Sequence, residues 1–373
     1  MIEEIASTFA GRRVLLTGHT GFKGSWLALW LSEMGAQVHG YALEPPTDPS
    51  LFEVAQVSGV LATHTLADVR DPAAVDRAVG AADPEVLFHL AAQPLVRESY
   101  VDPRGTLGTN VLGTVNVLEA VRARRKPCAV VIITSDKCYE NLNWAWGYRE
   151  NDHLGGHDPY SMSKAAAELV VASWRRSFFA QEKIAEHGVC LASARAGNVI
   201  GGGDWQRDRI MTDCITALEA RTPIRVRNPA STRPWQHVLE PLSGYLLLAT
   251  RMLAGGPEAA AGLGDAWNFG PAPDDVWPVR RLADEVIARW GSGSWIDGSD
   301  TNAPHEARLL ALNCDKARRR LGWRPTWDAS RAVAEAVAWH KAHRAGERMR
   351  EVSLAQIRAF AAESSGNQSK AGT

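Results

Sequence analysis

The 373 residues carry 41 Lys and Arg against 42 Asp and Glu, for a net charge of −1, with 45% hydrophobic and 22% charged residues. This usage excludes wholesale disorder and a fibrous chain, and near-neutrality argues against a nucleic-acid binder built on a large basic face. At about 150 residues per domain the length allows two to three domains.

In chain order, Arg13–Thr17 reads as a short buried strand, followed by a glycine-rich turn and a helical run over Ser25–Met34. Gln37–Tyr41, Thr63–Leu66, Val86–His89 and Ala129–Ser135 read as further strands, and Val189–Ala194 as a sixth. Helical patterns over Pro72–Val79, Asn110–Arg125 and Ser161–Phe178 fall between them. Strands alternating with helices imply βαβ units and a doubly wound parallel α/β sheet covered on both faces. The second half is richer in Gly, Pro, Arg and Trp. It carries helical stretches at Met211–Ala220, Pro241–Leu253, Val279–Trp290 and Ala332–His343, and a short strand at Trp267–Phe269. The expected layout is a dinucleotide-type domain over 11–197 plus about 236–271. A smaller interleaved domain covers about 198–235 plus 272–345, and 361–373 reads as a flexible tail.

Five Cys include no C-x-x-C pair, so neither a zinc ribbon nor a disulfide framework is expected, and no metal site. The start, Met-Ile-Glu-Glu-Ile, lacks the basic and apolar run of a signal peptide. Every long apolar stretch is interrupted by charge before about 18 residues, so no membrane helix is expected. The expected setting is cytoplasmic.

Gly18-x-x-Gly21-x-x-Gly24 lies directly between a strand and a helix. Glycine there lets the backbone turn tightly and approach a pyrophosphate at a helix N-terminus. Ala42 stands where a ribose-reading Asp would be expected, and Glu44 is flanked by Pro45 and Pro46. No Lys or Arg follows the strand to hold a 2′-phosphate, which favours NAD over NADP. His19 and Lys23 inside the loop either touch the cofactor or only pack and solvate.

Tyr160 and Lys164 are spaced i, i+4 and share one helix face. A nearby ammonium lowers a phenol's pKa, which suits Tyr160 to proton abstraction from a sugar hydroxyl. Arg221, Arg225, Arg227 and Arg233 form a stretch with no acidic residue, suited to a diphosphate, and Arg233 is the strongest candidate within it. Trp30, Trp290 and Trp339 fall in helical patterns and read as core. Trp144, Trp146, Trp205 and Trp235 fall in irregular segments, where an indole can border a base or sugar.

The combination of TGxxGxxG, Leu90-Ala91-Ala92, Ser135 and Tyr160-x-x-x-Lys164 resembles the extended short-chain dehydrogenase/reductases. The strings Gly18-His19-Thr20-Gly21-Phe22-Lys23-Gly24-Ser25-Trp26, Thr134-Ser135-Asp136-Lys137-Cys138-Tyr139, Gly202-Gly203-Asp204-Trp205 and Arg233–Pro241 resemble, more narrowly, the CDP-glucose 4,6-dehydratase family.

The resemblance implies an NAD site of Gly18, His19, Gly21, Phe22, Lys23 and Gly24, with Asp68 and Val69 facing adenine and Leu90, Ala91, Ala92, Gln93 and Asn110 lining the cofactor. It implies a redox triad of Ser135, Tyr160 and Lys164, and substrate contacts from Asn198, Arg209 and Arg233, to which Trp205 and Trp235 are added. Asp136 would act as acid. Lys137 stands where related dTDP-sugar enzymes carry Glu, and serves as base or as a stabilising cation. The implied reaction is dehydration of CDP-glucose through C4 oxidation, loss of water across C5 and C6, and hydride return to C6. The implied assembly is a homodimer, possibly a tetramer, through the helices Asn110–Arg125 and Ser161–Phe178. The residues alone leave open another nucleotide-sugar dehydratase, an epimerase or reductase of the same fold, and a non-catalytic NAD-binding regulator.

Overall fold

The computed structural model describes residues 2–254, 256, 260, 262–299 and 309–369. Its central sheet has seven strands: β1 (Arg13–Thr17), β2 (Gln37–Ala42), β3 (Thr63–Leu66), β4 (Val86–His89), β5 (Cys128–Ile133), β6 (Val189–Ala196) and β7 (Ala266–Phe269). Every pairing is parallel, in the order β7-β6-β5-β4-β1-β2-β3. Strands β4, β5 and β6 are buried along their whole length, as their continuous apolar runs require, whereas the edge strand β3 is exposed throughout.

Alternate residues of β1 serve opposite faces. Val14 and Leu16 join a core with the helices Phe22–Glu33 and Leu239–Leu253. Leu15 joins a second core with Pro72–Ala82 and Gly113–Arg124. The strand order reverses between β1 and β4, and the crevice beyond their carboxyl ends is where such sheets bind ligands.

After β6 the chain leaves the sheet. Val199–Ile200 pairs with Gln236–His237, Thr232–Pro234 with Val276–Pro278, and Ile224–Val226 with Trp295–Asp297. The helices Ile210–Glu219, Val279–Trp290 and Ala329–Arg344 close a third core around Trp235 and Trp277. The chain returns to the sheet edge as β7.

Two terminal elements depart from the sequence expectation. Ile2–Phe9 is a helix whose Ile5 and Phe9 enter the first core. At the other end the helix Met349–Ser369 runs through most of the expected tail. Its Ser364 is buried, with its hydroxyl 2.7 Å from that of Thr326. Residues 370–373 lie outside those described. The polar run of Ser, Gly and Asn hid a helix held by one buried stripe.

Candidate functional site

The glycine loop follows β1. Gly18 has φ +77, and a Cβ there would stand 2.7 Å from the Ala91 nitrogen. A Cβ on Gly24 would stand 2.0 Å from the Gly18 carbonyl oxygen. Both glycines are therefore obligatory for this turn. Gly21 caps the helix Phe22–Glu33 with no side-chain acceptor. The first N–H groups of this twelve-residue helix thus have no side-chain acceptor at the cap, and an anion at such a terminus gains about 0.3–1 kcal/mol from the helix dipole.

The segment after β4 forms the opposite wall. Leu90 and Ala91 donate their N–H groups to the carbonyl and hydroxyl of Thr17, and Ala92 and Gln93 follow. Buried Asn110 clamps this wall: its Oδ1 accepts the Gln93 N–H at 2.8 Å, and its Nδ2 donates to Ser163 Oγ at 2.8 Å. Asn110 sits in a π-helical segment, Gly108–Leu112, that precedes the helix Gly113–Arg124. Past β3, the Asp68 carboxylate is held by Arg70 at 2.6 Å, and the Val69 carbonyl accepts from Asn116.

Two loop side chains behave differently. The His19 ring lies under Gly40 on β2, against Phe52 and with Nε2 2.7 Å from His64 Nδ1. Burial, then the His64 charge, push its pKa down to about 4. The side chain is packed behind the loop, which corrects the reading of His19 as a cofactor contact. The Lys23 side chain instead feels the charges of Arg209, Asp136, Lys164 and Asp204. Burial first, then Arg209, bring it down to about 8.

Ser135 lies just beyond β5 and caps a short turn, Asp136–Cys138. Its Oγ accepts the Lys137 N–H at 3.2 Å and donates to Asp136 Oδ1 at 3.0 Å. Asp136 is 2% exposed, and its Oδ2 has no hydrogen-bond partner among the described residues. Burial raises its pKa against the opposing charges of Lys137, Arg233 and Lys23. Lys137 is half-buried beside it.

Tyr160 stands at the start of the helix Pro159–Ser177, capped by Asp158, close enough to Ser135 for that hydroxyl to favour the phenolate. Burial nonetheless pushes the phenol up to about 12. Lys164 Nζ donates to the Ile133 carbonyl at 3.4 Å, and burial brings it down to about 8. Burial, not the ammonium, therefore sets the Tyr160 phenol in this structure, contrary to what the spacing suggests.

On the other side, Arg209 pairs with Asp204 at 2.7 Å. The Arg233 guanidinium donates to its neighbour's carbonyl, Thr232 O, at 2.8 Å, and lies close enough to Asp136 to oppose its rise. Asn198 follows β6 and is half-buried. Arg227 is engaged by Asp208 and Asp213, so the arginine stretch is divided.

One tryptophan expectation fails. Trp235 is 2% exposed and donates from Nε1 to the Trp277 carbonyl, inside the third core. Its indole fills an interior because a large apolar ring in an irregular segment can bury more area than it leaves wet. Trp205 is partly buried and packs against Trp339, His340 and His343 on the helix Ala329–Arg344. Trp146 is 73% exposed, against Trp144.

Residues that sequence reasoning did not single out complete the floor. Glu168, one turn beyond Lys164, continues the i, i+4, i+8 series from Tyr160, and that spacing was a usable signal. Its partner Arg195, on β6, carried no such signal.

The sequence pattern of the GDP-mannose 4,6 dehydratase family matches residues 15–336. The chain belongs to this family. It is 50% identical over 349 residues to CDP-glucose 4,6-dehydratase of Salmonella typhimurium, covering 93% of this chain and 95% of that one. It is 27% identical to dTDP-glucose 4,6-dehydratase of Streptomyces antibioticus, covering 89% and 93% of the two chains. Among solved structures, dTDP-glucose 4,6-dehydratase from Streptomyces venezuelae with NAD and TYD bound shares the fold at TM-score 0.74 and 22% identity, with 90% of this chain and 98% of that one covered. UDP-glucose 4-epimerase from Thermotoga maritima shares it at TM-score 0.76 and 19% identity, covering 88% and 99%. The Rossmann-type architecture of this dehydratase is thus the one expected.

Proposed function

We propose that the protein is an NAD-dependent CDP-glucose 4,6-dehydratase that forms CDP-4-keto-6-deoxyglucose. The match to the Salmonella enzyme over nearly the whole of both chains carries the substrate class. Asp136, buried beside Ser135 with its pKa raised, favours dehydration over epimerisation or reduction, which need no such acid.

The cradle of Gly18 and Gly24 and the uncapped N-terminus at Gly21 fit a dinucleotide pyrophosphate, with Phe22 and Lys23 in the first helical turn. Asp68 and Val69 lie toward the adenine end, and Leu90, Ala91, Ala92, Gln93 and Asn110 form the facing wall. When bound, NAD would supply a hydride acceptor for C4 and a hydride donor for C6. Tyr160 takes the proton of the C4 hydroxyl, Ser135 holds the same oxygen, and Lys164 favours the charged phenolate. Asp136 gives its proton to the C6 hydroxyl as water leaves. Lys137, half-buried at the same turn, is the group placed to handle the C5 proton. Arg209, Arg233 and Asn198 border the diphosphate and sugar.

Residues 11–197 with about 236–271 make the cofactor-holding unit, and about 198–235 with 272–345 the substrate-holding one. The exposed Val101, Leu112 and Leu169, on neighbouring helical segments, support a homodimer formed through this face. None of the described helices is long and apolar enough to cross a membrane. A cytoplasmic enzyme is the reading that agrees with these features and with the absence of cysteine pairing among the described residues.

The test is incubation with NAD and a panel of CDP-glucose, dTDP-glucose and GDP-mannose, followed by product mass. Loss of one water from CDP-glucose alone is expected. An unchanged mass with inverted C4 stereochemistry would make the protein an epimerase.

A further inference from the structure

Beneath the site lies a buried polar layer with no solvent access. Glu168 and Arg195 pair at 2.7 Å, with side chains 2% and 3% exposed. The carboxylate also accepts from Thr134 Oγ1, at the end of β5, and from Ser193 Oγ on β6 at 2.8 Å. Arg195 donates onward to Tyr139 OH at 2.6 Å and lies over that ring, 4.9 Å from its centre. Tyr139 OH donates to Asn268 Oδ1 on β7 at 2.8 Å. The layer thus ties the Tyr160 helix to β5, β6 and β7 and to the turn that carries Asp136 and Lys137.

Lys164 sits one helical turn above Glu168. It is faced by Tyr160 and Glu168 from its own helix, the Ile133 carbonyl from β5 and Cys138 from the turn. His89 on β4 and Lys23 on the glycine-loop helix face it from beyond. Burial keeps His89 neutral, with its pKa down at about 3, and pushes Cys138 up, so it stays a thiol. Lys23 repels. Among these groups Glu168 is the one carboxylate, and it is shared with Arg195. The burial cost of charge falls on Lys164 with no dedicated counter-ion.

We propose that Glu168 and Arg195 act together as a positioning pair for Lys164: the carboxylate, one helical turn away, favours the Lys164 ammonium through space, and Arg195, bound directly to that carboxylate, offsets part of its effect. This assigns the pair a part in the reaction through Lys164, without contact with substrate or cofactor. It rests on the dehydratase reading only in giving Lys164 its task, and the charge relation itself is independent of substrate.

The relation predicts shifts of opposite sign. Loss of the carboxylate lowers the Lys164 pKa, and loss of the guanidinium raises it, each by about 0.5 unit or more, a roughly threefold change in ionisation constant. The direct measurement is a 13C titration of the full-length protein labelled at lysine Cε, with Lys164→Met used to assign the signal. The variants are Glu168→Gln, which keeps the volume and a hydrogen-bond acceptor, and Arg195→Met. The double variant Glu168→Gln/Arg195→Met leaves no unpaired buried charge and so guards against a failure to fold. A downward shift in Glu168→Gln and in the double variant, with an upward one in Arg195→Met, supports the proposal. A Lys164 midpoint that stays within about 0.2 unit in the folded double variant overturns it. A second readout is the alkaline limb of kcat with CDP-glucose, which should move with the NMR midpoint. If CDP-glucose is not turned over while the midpoint shifts as expected, the functional reading fails and the proposal stands.

Discussion

The turn after β5 and the layer directly beneath it each bury one carboxylate, and the two shift its pKa in opposite directions. Asp136 has one oxygen unpartnered among the described residues, and burial raises its pKa despite nearby cations. Glu168 is as deeply buried, yet its pKa is lowered, because Arg195 and the hydroxyls of Thr134 and Ser193 outweigh the cost of burial. Burial alone therefore does not decide the charge of an interior acid; direct hydrogen-bonded contact with a cation does. The raised one is shifted toward holding a proton it can give away, and the lowered one is tied into the frame by its hydrogen bonds.

The comparison breaks most visibly at Arg195. Arg195→Met leaves Glu168 charged and unpaired, and should cost about 3–5 kcal/mol of stability in urea unfolding. A loss below about 1 kcal/mol would mean the pair contributes little. Asp136→Asn should leave stability almost unchanged and slow dehydration by about 10²–10³-fold, read as release of the dehydrated product.

Glu240 sharpens the rule. It accepts the N–H groups of Thr326 and Trp327 but has no cation, and burial pushes it up to about 8 from 4.5. Its contribution to stability is complete below pH 4.5 and disappears as pH rises through about 8. The Tm should fall by about 5 °C or more between pH 5 and 9, and Glu240→Gln should flatten that slope. The smallest effect is expected at exposed Trp146, whose replacement by Ala should leave the KM for CDP-glucose within about twofold.

Much of the frame was legible because local rules and tertiary packing agree there. The limits of β1, β3 and β4, and of the helix Val279–Trp290, coincide with the apolar runs and turn residues that suggested them. The strict alternation of strand and helix was enough for the doubly wound sheet. The crevice was legible where chemistry is written as spacing, as in the glycine loop and in Tyr160 with Lys164. It was not legible where direction decides. An indole in an irregular segment can point inward or outward, so Trp235 looked like a ligand contact and proved to be filling. His19 lies in a binding loop but turns its ring under Gly40. The phenol of Tyr160 shows the same limit, since a helix repeat brings Lys164 near without stating how much water surrounds either group.

The last helix carries a practical consequence. Trp327 Nε1 donates to Glu363 at 3.0 Å, and Thr326 meets Ser364, in the same dipeptide whose backbone N–H groups hold Glu240. These turns of the last helix thus act as a latch on the helix Leu239–Leu253, which the Arg233–Val238 segment enters directly. Shortened versions of the protein made for crystallisation or fusion should keep residue 364, since trimming before it would unfasten the rim of the crevice from a point far along the chain.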